Sequence, residues 1–354
     1  MPSTPEPRRL LILAPNWLGD AVMALPAVAD LRRAFPLASL VVAARTSVAA
    51  VFDLATGIDA VVTLAWHGKR GSRSAFRADV QRLRAAACDT AILLPNSFAS
   101  AWLVWRTGVP QRWGYAGDLR SWLLTRAVAR PGGSVHQGAY YQALVQALGV
   151  PNGPLEAVLT PRAADVAEAR ALLAARGWDG RRRLVALAPG AAYGTAKQWL
   201  PEHFVALVGE LVGTDGATCV LVGGSGPDAA TTAQVRAAQP PQLRDQVIDL
   251  AGATSLHALA GVLSLADACV SNDSGAMHVA AALGVPVVAI FGPTNERETA
   301  PLTRAAHPAR VLTQPVECRP CMLRECPIDH RCMARIEPQT VRRALHDAGF
   351  RVVS

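Results

Sequence analysis

The stretch that decides the fold lies in the second half of the chain and reads Val270-Ser-Asn-Asp-Ser-Gly-Ala-Met-His-Val-Ala-Ala-Ala-Leu-Gly-Val-Pro-Val-Val-Ala-Ile-Phe-Gly-Pro293. Its apolar start predicts the end of a buried strand, and the polar cluster 272–275 is rich in helix-capping residues. A helix is expected over 276–283, ended by a glycine and a proline. The apolar run 287–291 is typical of a parallel strand covered on both faces. The polar cluster should therefore lie where a strand ends and a helix begins, a place where open α/β sheets bind anions such as a diphosphate.

The rest of the chain shows the same alternation of strands and helices. Apolar runs predict further strands at 10–14, 39–44, 60–64, 89–94, 184–188, 218–222 and 247–250, with helical patterns between them. This order predicts an α/β protein with parallel, doubly wound sheets. Because the pattern restarts after Pro151-Asn-Gly-Pro154, we expect two Rossmann-like domains that face each other across a cleft, residues 1–160 and 161–337. A final helix is expected within 338–354 and could pack on either domain.

The net charge of +8 comes entirely from the first part of the chain. Residues 1–150 contain 16 Lys and Arg but 8 Asp and Glu, whereas residues 151–354 are neutral overall. Most tryptophans lie in the same part, and arginines alternate with them between Trp102 and Arg130. Such a surface suits a phosphorylated glycolipid or anionic membrane headgroups, although an Arg-rich composition alone could also produce it. Nucleic acid is not expected, because none of the familiar binding motifs is present.

The N-terminus superficially resembles a signal peptide, since Arg8 and Arg9 precede the apolar run Leu10–Ala14. That run is interrupted by Pro15 and is shorter than the ~7–15 residues of a signal-peptide core. We therefore interpret it as the first core strand. No apolar run in the sequence approaches the ~20 residues that a membrane-spanning helix requires. A cytoplasmic protein is expected.

Three glycine-bearing turns follow predicted strands, at Pro15–Asp20, Pro189–Trp199 and Gly223–Asp228. Glycine allows the backbone to approach a ligand closely. A single turn of this kind is a weak signal, but three of them after successive strands, at one edge of the sheet, indicate a phosphate-binding site. None of them is a Walker A loop, because Gly-x4-Gly-Lys-[Ser/Thr] is absent.

Four side chains near these turns could act on a ligand. Asp20, at a helix N-terminus, could accept a proton from a hydroxyl group, or could simply cap the helix. Thr195 and Lys197 offer a hydroxyl and a cation to phosphate oxygens, unless their loop is an ordinary solvated one. His278 lies one turn into the helix that follows the polar cluster, and it could equally be a histidine packed on the sheet.

Three motifs in order are specific in combination: Pro15-x-Trp-x-Gly-Asp20, Pro189-Gly-Ala-x-Tyr-Gly-x-Ala-Lys197-x-Trp199 and Asn272-Asp-Ser-Gly-x-Met-His278. Together they resemble the motifs of the ADP-heptose:lipopolysaccharide heptosyltransferases, glycosyltransferase family nine. The resemblance runs from about Leu10 to Phe350. It implies a GT-B fold, with the acceptor bound by the N-terminal domain and ADP-heptose by the C-terminal domain.

The resemblance also implies inverting heptose transfer to the heptosylated inner core of lipopolysaccharide, without a metal or other cofactor for catalysis. Peripheral contact with the cytoplasmic face of the inner membrane, through the Arg/Trp surface of the first half, is a further hypothesis. In this scheme Asp20 is the general base and the donor is held by Thr195, Lys197, Asp273, Ser274, Gly275 and His278. Two alternatives stay open: a family member acting on another acceptor, such as the one for the first or third core heptose, and a non-catalytic nucleotide-binding protein of the same fold.

The chain contains a cysteine-rich segment, which we define as Cys318–Cys332. Its four cysteines could form a structural zinc site, although their spacing is not the usual paired Cys-x2-Cys: Cys318, Cys321, Cys326 and Cys332. The alternatives are free thiols in a tight loop and a redox or disulfide role, which a reducing cytoplasm disfavours. Because family members with and without such a segment exist, the resemblance implies that it is not catalytic.

Overall fold

The computed structural model describes residues 6–68, 71–304 and 308–350. The chain divides into two compact units, Met1–Val158 and Leu159–Ser354. The strands of the first unit are β1 (Arg9–Leu13), β2 (Ser39–Arg45), β3 (Ala60–Leu64), β4 (Thr90–Leu93), β5 (Gln111–Tyr115) and β6 (Arg126–Val128). Its helices are α1 (Leu18–Met23), α2 (Leu25–Ala34), α3 (Ala49–Asp53), α4 (Arg73–Ala85), α5 (Phe98–Thr107) and α6 (Gln137–Ala147).

The second unit follows the same plan. Its strands are β7 (Leu184–Ala188), β8 (Thr218–Leu221), β9 (Val247–Asp249), β10 (Ala268–Asn272), β11 (Val287–Ile290) and β12 (Arg310–Leu312). Its helices are α7 (Ala163–Ala174), α8 (Pro201–Gly213), α9 (Pro227–Ala237), α10 (Pro241–Arg244), α11 (Leu256–Leu265), α12 (Gly275–Ala282), α13 (Glu296–Thr299), α14 (Arg331–Ala334) and α15 (Pro338–Asp347).

Each unit is built on one parallel sheet of six strands within the described residues. The strand orders are β3-β2-β1-β4-β5-β6 and β12-β11-β10-β7-β8-β9, and every pairing is parallel. Read from its own first strand, each sheet has the order 3-2-1-4-5-6 of a dinucleotide-binding fold. The order reverses between β1 and β4 in the first sheet and between β7 and β10 in the second. The α/β, doubly wound prediction is confirmed.

The first sheet is covered on both faces. On one face, Leu11 and Leu13 of β1 pack with Leu83 of α4 and Val104 of α5. Because side chains alternate along a strand, Leu10 and Ile12 point to the other face, and both are fully buried. In the same unit, α2 packs against α6. This burial on both faces explains why β1, β2 and β4 read as continuous apolar runs.

The core of the second unit includes the last helix of the chain. Val341 and Leu345 of α15 belong to the same buried cluster as Phe204 of α8 and Val288 of β11. The helix whose position the sequence left open therefore packs on the second unit. None of the helices in residues 6–68, 71–304 and 308–350 is both long and apolar enough to span a membrane.

Candidate functional site

The loop 189–199 is fixed at the point where the strand order of the second sheet reverses. Asn272, the last residue of β10, is fully buried. Its Nδ2 donates to the carbonyl of Pro189 at 2.6 Å, and its Oδ1 accepts a hydrogen bond from the backbone N–H of Trp199 at 3.0 Å. One buried side chain thus holds both ends of the loop that follows β7. Topological reversals of this kind are where open α/β sheets bind their ligands.

A buried ion pair lies beside this anchor. The ammonium group of Lys197 is 2.6 Å from Oδ2 of Asp273, and the two side chains are only 12% and 5% exposed. The hydroxyl of Thr294, after β11, donates to the same carboxylate oxygen at 2.7 Å. Three loops, after β7, β10 and β11, therefore converge on one carboxylate. An ammonium group has three donors, so Lys197 can hold this carboxylate and still donate to a ligand.

The N-terminus of α12 begins immediately after Asp273. Ser274 is its N-cap residue, but its side chain makes no capping hydrogen bond to the helix backbone. Its hydroxyl lies 3.0 Å from that of Ser271, which in turn donates to the carbonyl of Asn272. The first N–H groups of α12, beginning at Gly275, thus have no side-chain cap. Such groups and the helix dipole favour an anion.

Two other residues predicted to bind the sugar donor, Thr195 and His278, lie on the same loop and helix but differ in exposure. Thr195 is exposed and opens a short 3-10 turn, Thr195–Lys197, that places it two residues from the buried ammonium. His278 is buried in α12, one turn after Gly275. The structure therefore brings Lys197 and Asp273 into contact. Thr195 lies in the turn that leads to Lys197, and His278 lies in the helix that follows Asp273.

The turn 223–228 also reaches this region, as its glycines suggested. The carboxylate of Asp228 accepts a hydrogen bond from the backbone N–H of Gly224 at 2.9 Å. The same side chain occupies the space beside Gly190, where a Cβ atom would lie 2.2 Å from it. A Cβ at position 190 would therefore force the Asp228 carboxylate to move, which shows how closely the loops after β7 and β8 pack.

Asp20 lies in the first unit, in the first turn of α1. This turn follows β1, the strand at which the first sheet reverses its order. Asp20 is half-buried. Its charge faces the phenol of Tyr141, whose pKa is raised well above the ordinary value, first by burial and then by Asp20. Tyr141 therefore stays protonated and neutral beside the carboxylate.

A cavity of about 730 Å³ opens in the first unit at the carboxyl ends of β1 to β4. Its wall includes Asn16 from the first glycine-bearing turn, Arg45 from the end of β2, and Trp66 and His67 after β3. The pKa of Arg45 is lowered by burial, which indicates a partly desolvated cation. The cavity combines an aromatic wall with the cation of Arg45 and the carboxylate of Asp118, and Arg45 could bind an anionic group of a sugar or lipid headgroup.

The structure does not support the predicted zinc site. Cys332 packs in the core of the second unit, whereas Cys318 and Cys321 are exposed. Sγ of Cys326 accepts a hydrogen bond from the backbone N–H of His330 at 3.3 Å. Across the part of the chain that the structure describes, no group of three or more His, Cys, Asp or Glu side chains is arranged to hold a metal ion, and all seven cysteines are free thiols.

Sequence reasoning missed two residues that organise this site. Asn272 was interpreted as a helix-capping residue, yet its side chain anchors the loop 189–199. Thr294 was not singled out, although it follows β11 directly and a residue after a central strand of a parallel sheet falls at the ligand-binding edge. The position of β11 in the sheet order is the signal that would have indicated Thr294 as a site residue.

Comparison with known proteins identifies the family. Residues 76–331 match the family described as Glycosyltransferase family 9 (heptosyltransferase). Lipopolysaccharide heptosyltransferase 2 of Salmonella typhimurium (strain LT2) is 30% identical over 347 residues, which cover 96% of this chain and 97% of that protein. Lipooligosaccharide heptosyltransferase 2 of Haemophilus ducreyi is also 30% identical, over 86% of this chain and 89% of its own.

A solved structure agrees with these relatives. The structure of E. coli ADP-heptose lps heptosyltransferase II superimposes with a TM-score of 0.82 at 27% identity, covering 96% of this chain and 98% of that chain. The two doubly wound units are thus those of a GT-B fold, as the sequence motifs implied. The chain belongs to glycosyltransferase family 9, the heptosyltransferases, and is a glycosyltransferase.

Proposed function

We propose that the chain transfers heptose from ADP-heptose to the heptosylated inner core of lipopolysaccharide. The observation that carries this proposal is the buried contact between Lys197, Asp273 and Thr294 at the reversal point of the second sheet. It supplies a fixed cation beside an uncapped helix N-terminus, which is the arrangement a diphosphate requires. The names of the relatives supply the sugar and the acceptor: they are lipopolysaccharide and lipooligosaccharide heptosyltransferases.

In this proposal the second unit binds the donor. Lys197 and the hydroxyl of Thr195 hold the diphosphate, and the N–H groups that begin at Gly275 bind phosphate oxygens. Asp273 is a carboxylate and repels phosphate, so its role is to hold Lys197 in place and to accept hydrogen bonds from heptose hydroxyls. Ser274, at the start of α12, contacts the donor from the same side.

The first unit binds the acceptor and supplies the base. Asp20 removes the proton from the attacking heptose hydroxyl while that oxygen displaces ADP from the anomeric carbon with inversion. Negative charge then develops on the departing diphosphate, and Lys197 together with the dipole of α12 stabilises it. The residues of this chain thus provide both the base and the leaving-group stabilisation, and the proposed chemistry requires no cofactor.

The acceptor cavity that we propose is the one lined by Arg45 and Trp66. An inner core carries carboxylates and phosphates, and a partly desolvated arginine at the end of β2 would bind such a group through charge-assisted hydrogen bonds. The aromatic side chain offers an apolar face to a sugar ring. A surface with these two features fits an anionic saccharide better than a neutral one.

We also propose that the chain works at the cytoplasmic face of the inner membrane. The first unit carries an aromatic patch, which we define as Phe98, Trp102, Trp105, Leu119 and Trp122. Its four rings form a closed circuit with centroid distances of 4.9 to 6.4 Å, and Trp122 and Leu119 are 66% and 87% exposed. The guanidinium of Arg106 lies over the ring of Trp102 at 5.6 Å. Exposed tryptophans beside arginines suit the headgroup region of an anionic bilayer.

The experiment that tests the proposed function is mass analysis of the acceptor. Purified protein is incubated with ADP-heptose and a lipid A–Kdo acceptor that carries one heptose. The proposal predicts that the acceptor gains the mass of one heptose and that ADP accumulates in equal amount. Unchanged acceptor, with ADP-heptose bound but intact, would contradict it.

A further inference from the structure

The cysteine-rich segment packs directly on the loop that carries Lys197. The carbonyl of Arg324 accepts a hydrogen bond from the backbone N–H of Ala196 at 3.0 Å. Nε2 of His330 lies 2.8 Å from the carbonyl of Ala196. A Cβ atom on Gly194 would lie 2.3 Å from the Arg324 carbonyl oxygen, so this residue must be glycine for the two backbones to approach. The backbone N–H and carbonyl of Ala196, the residue before Lys197, are thus both held by the segment.

The segment also holds the loop that carries Thr294. The side chain of Arg319 donates to the carbonyls of Gly292 and Thr294 at 2.5 and 3.1 Å, and it forms an ion pair with Glu296 at 2.8 Å. Its side chain is only 12% exposed. Thr294 in turn donates to Asp273. The segment therefore touches two of the three loops that converge on the buried ion pair.

Tyr193 brings a second cation of this segment close to Lys197. The ammonium of Lys197 lies 4.9 Å from the centroid of the Tyr193 ring, and the guanidinium of Arg324 lies 5.0 Å from the same centroid. The phenol donates to the carbonyl of Met322 at 2.8 Å, which fixes the ring against the segment. Two like charges held around one ring repel each other, and an anion between them would relieve that repulsion.

The two cations differ in their partners. Lys197 is buried and paired with Asp273. Arg324 is exposed, and across the described ranges of the chain no carboxylate lies within 4.0 Å of its guanidinium. An exposed arginine near a buried lysine is therefore available for a ligand that carries more than one negative charge.

We propose that the cysteine-rich segment forms a further wall of the donor site and that Arg324 supplies a second cation for the diphosphate. Lys197 then binds the phosphate next to α12, and the planar guanidinium of Arg324 binds oxygens of the diphosphate from the open side. The four cysteines lie in a segment whose role is to position this arginine and to hold the two loops. This inference rests on the proposed binding of ADP-heptose by the second unit.

The test compares nucleotide affinity in three variants by titration calorimetry, using ADP and AMP as ligands. Arg324→Gln should weaken ADP binding about tenfold, the loss expected for one charge-assisted contact, and should weaken AMP binding much less. Arg324→Lys should recover part of the ADP affinity because it restores the charge. Arg343→Gln, which removes an exposed charge on α15, is the matched control and should leave both affinities unchanged.

Two results would overturn the inference. Equal ADP affinity in Arg324→Gln and the unaltered protein would remove Arg324 from the donor site. Equal losses for ADP and AMP, with a lowered Tm and no recovery in Arg324→Lys, would show that the residue is only structural. Failure of the unaltered protein to bind ADP at all would instead contradict the proposed function, and this inference with it.

Discussion

The ion pair between Lys197 and Asp273 should link the stability of the second unit to the donor binding that we propose. The sequence contains two lysines among its 35 basic residues, and Lys197 is the one that lies in this site. A compact ammonium group can share its three donors between a buried carboxylate and a phosphate oxygen. The pair is shielded from water, so losing one partner leaves a buried charge without compensation.

Replacing Lys197 by methionine should therefore affect both properties. We expect Lys197→Met to lower the free energy of unfolding by about 3 kcal/mol, since the Asp273 carboxylate stays buried without its cation. ADP binding should weaken at least tenfold through loss of a charge-assisted hydrogen bond. Denaturant unfolding and titration calorimetry measure the two effects.

The matched control for this variant is Arg183→Met. Arg183 pairs with Asp267 in the same unit, but its side chain is 45% exposed. Because exposed ion pairs contribute about 0–1 kcal/mol, this variant should unfold nearly as the unaltered protein does and bind ADP equally well. Similar destabilisation of the two variants would contradict the distinction between the buried and the exposed pair.

A substitution of Asp20 should lower the rate of catalysis without changing the affinity for the sugar donor. If it is the general base, Asp20→Asn should lower kcat by about 10² to 10⁴, the usual contribution of such a group. The affinity for ADP should stay the same, since we propose that the second unit holds the donor. Steady-state assays measure kcat, and calorimetry measures the ADP affinity. An unchanged kcat would remove Asp20 from the mechanism.

The loops after β7 and β11 are held by the cysteine-rich segment, and Gly194 lies against its backbone. Gly194→Ala should displace the Arg324 carbonyl, because the added Cβ would meet it at 2.3 Å. We expect a lower Tm and weaker ADP binding. Gly132→Ala is the control, since nothing lies within 4 Å of a Cβ there, and it should change neither property. A Gly194→Ala variant that binds ADP normally would contradict the close packing.

The cysteines should differ in reactivity according to their elements. Burial raises the pKa of Cys269 to about 12 and that of Cys219 further, so at pH 8 their thiols are almost entirely protonated and enclosed. Cys318 and Cys321 are exposed. Because the thiolate is the reactive form, iodoacetamide at pH 8 should modify the exposed pair first, as peptide mass analysis would show. If Cys318 and Cys321 reacted with iodoacetamide only after a chelator was added, the metal-site interpretation would be restored.

Local patterns predicted nine of the twelve described strands and missed β5, β6 and β12. Strands β1, β2 and β4 read as apolar runs because helices cover both sides of them. Strand β5 has the sequence Gln-Arg-Trp-Gly-Tyr and was not predicted, since polar side chains interrupt its pattern. Strands β6 and β12 have three residues each and begin with an arginine, which leaves two apolar residues as the local signal.

The candidate site could be predicted only in part, for a related reason. Lys197 and Asp273 follow neighbouring strands of one sheet, so strand order alone predicts that they lie at the same edge. Arg319 and Arg324 come from a segment without periodic pattern, more than 100 residues after Lys197 in the chain. Their contacts with the loops depend on tertiary packing, which no local signal encodes.

The charge distribution of the whole molecule suits a membrane-bound acceptor, because the excess of 8 positive charges lies in residues 1–150. We expect the protein to co-sediment with vesicles that contain anionic lipid, less so as salt rises. Replacing both Trp105 and Trp122 by alanine should reduce binding several-fold, because the aromatic patch loses its exposed rings. The single variant Trp17→Ala, also exposed but outside the patch, is the control. Vesicle binding that changes neither with salt concentration nor with the replacement of Trp105 and Trp122 would contradict this expectation.

The central claim is heptose transfer to an acceptor that already carries heptose. The most direct measurement is ADP release from purified protein supplied with ADP-heptose and lipid A–Kdo acceptors carrying either no heptose or one. We predict release with the one-heptose acceptor and little with the bare one. Release with the bare acceptor alone would assign the chain to the first heptose, and no release with either acceptor, despite measurable ADP binding, would contradict the proposed function.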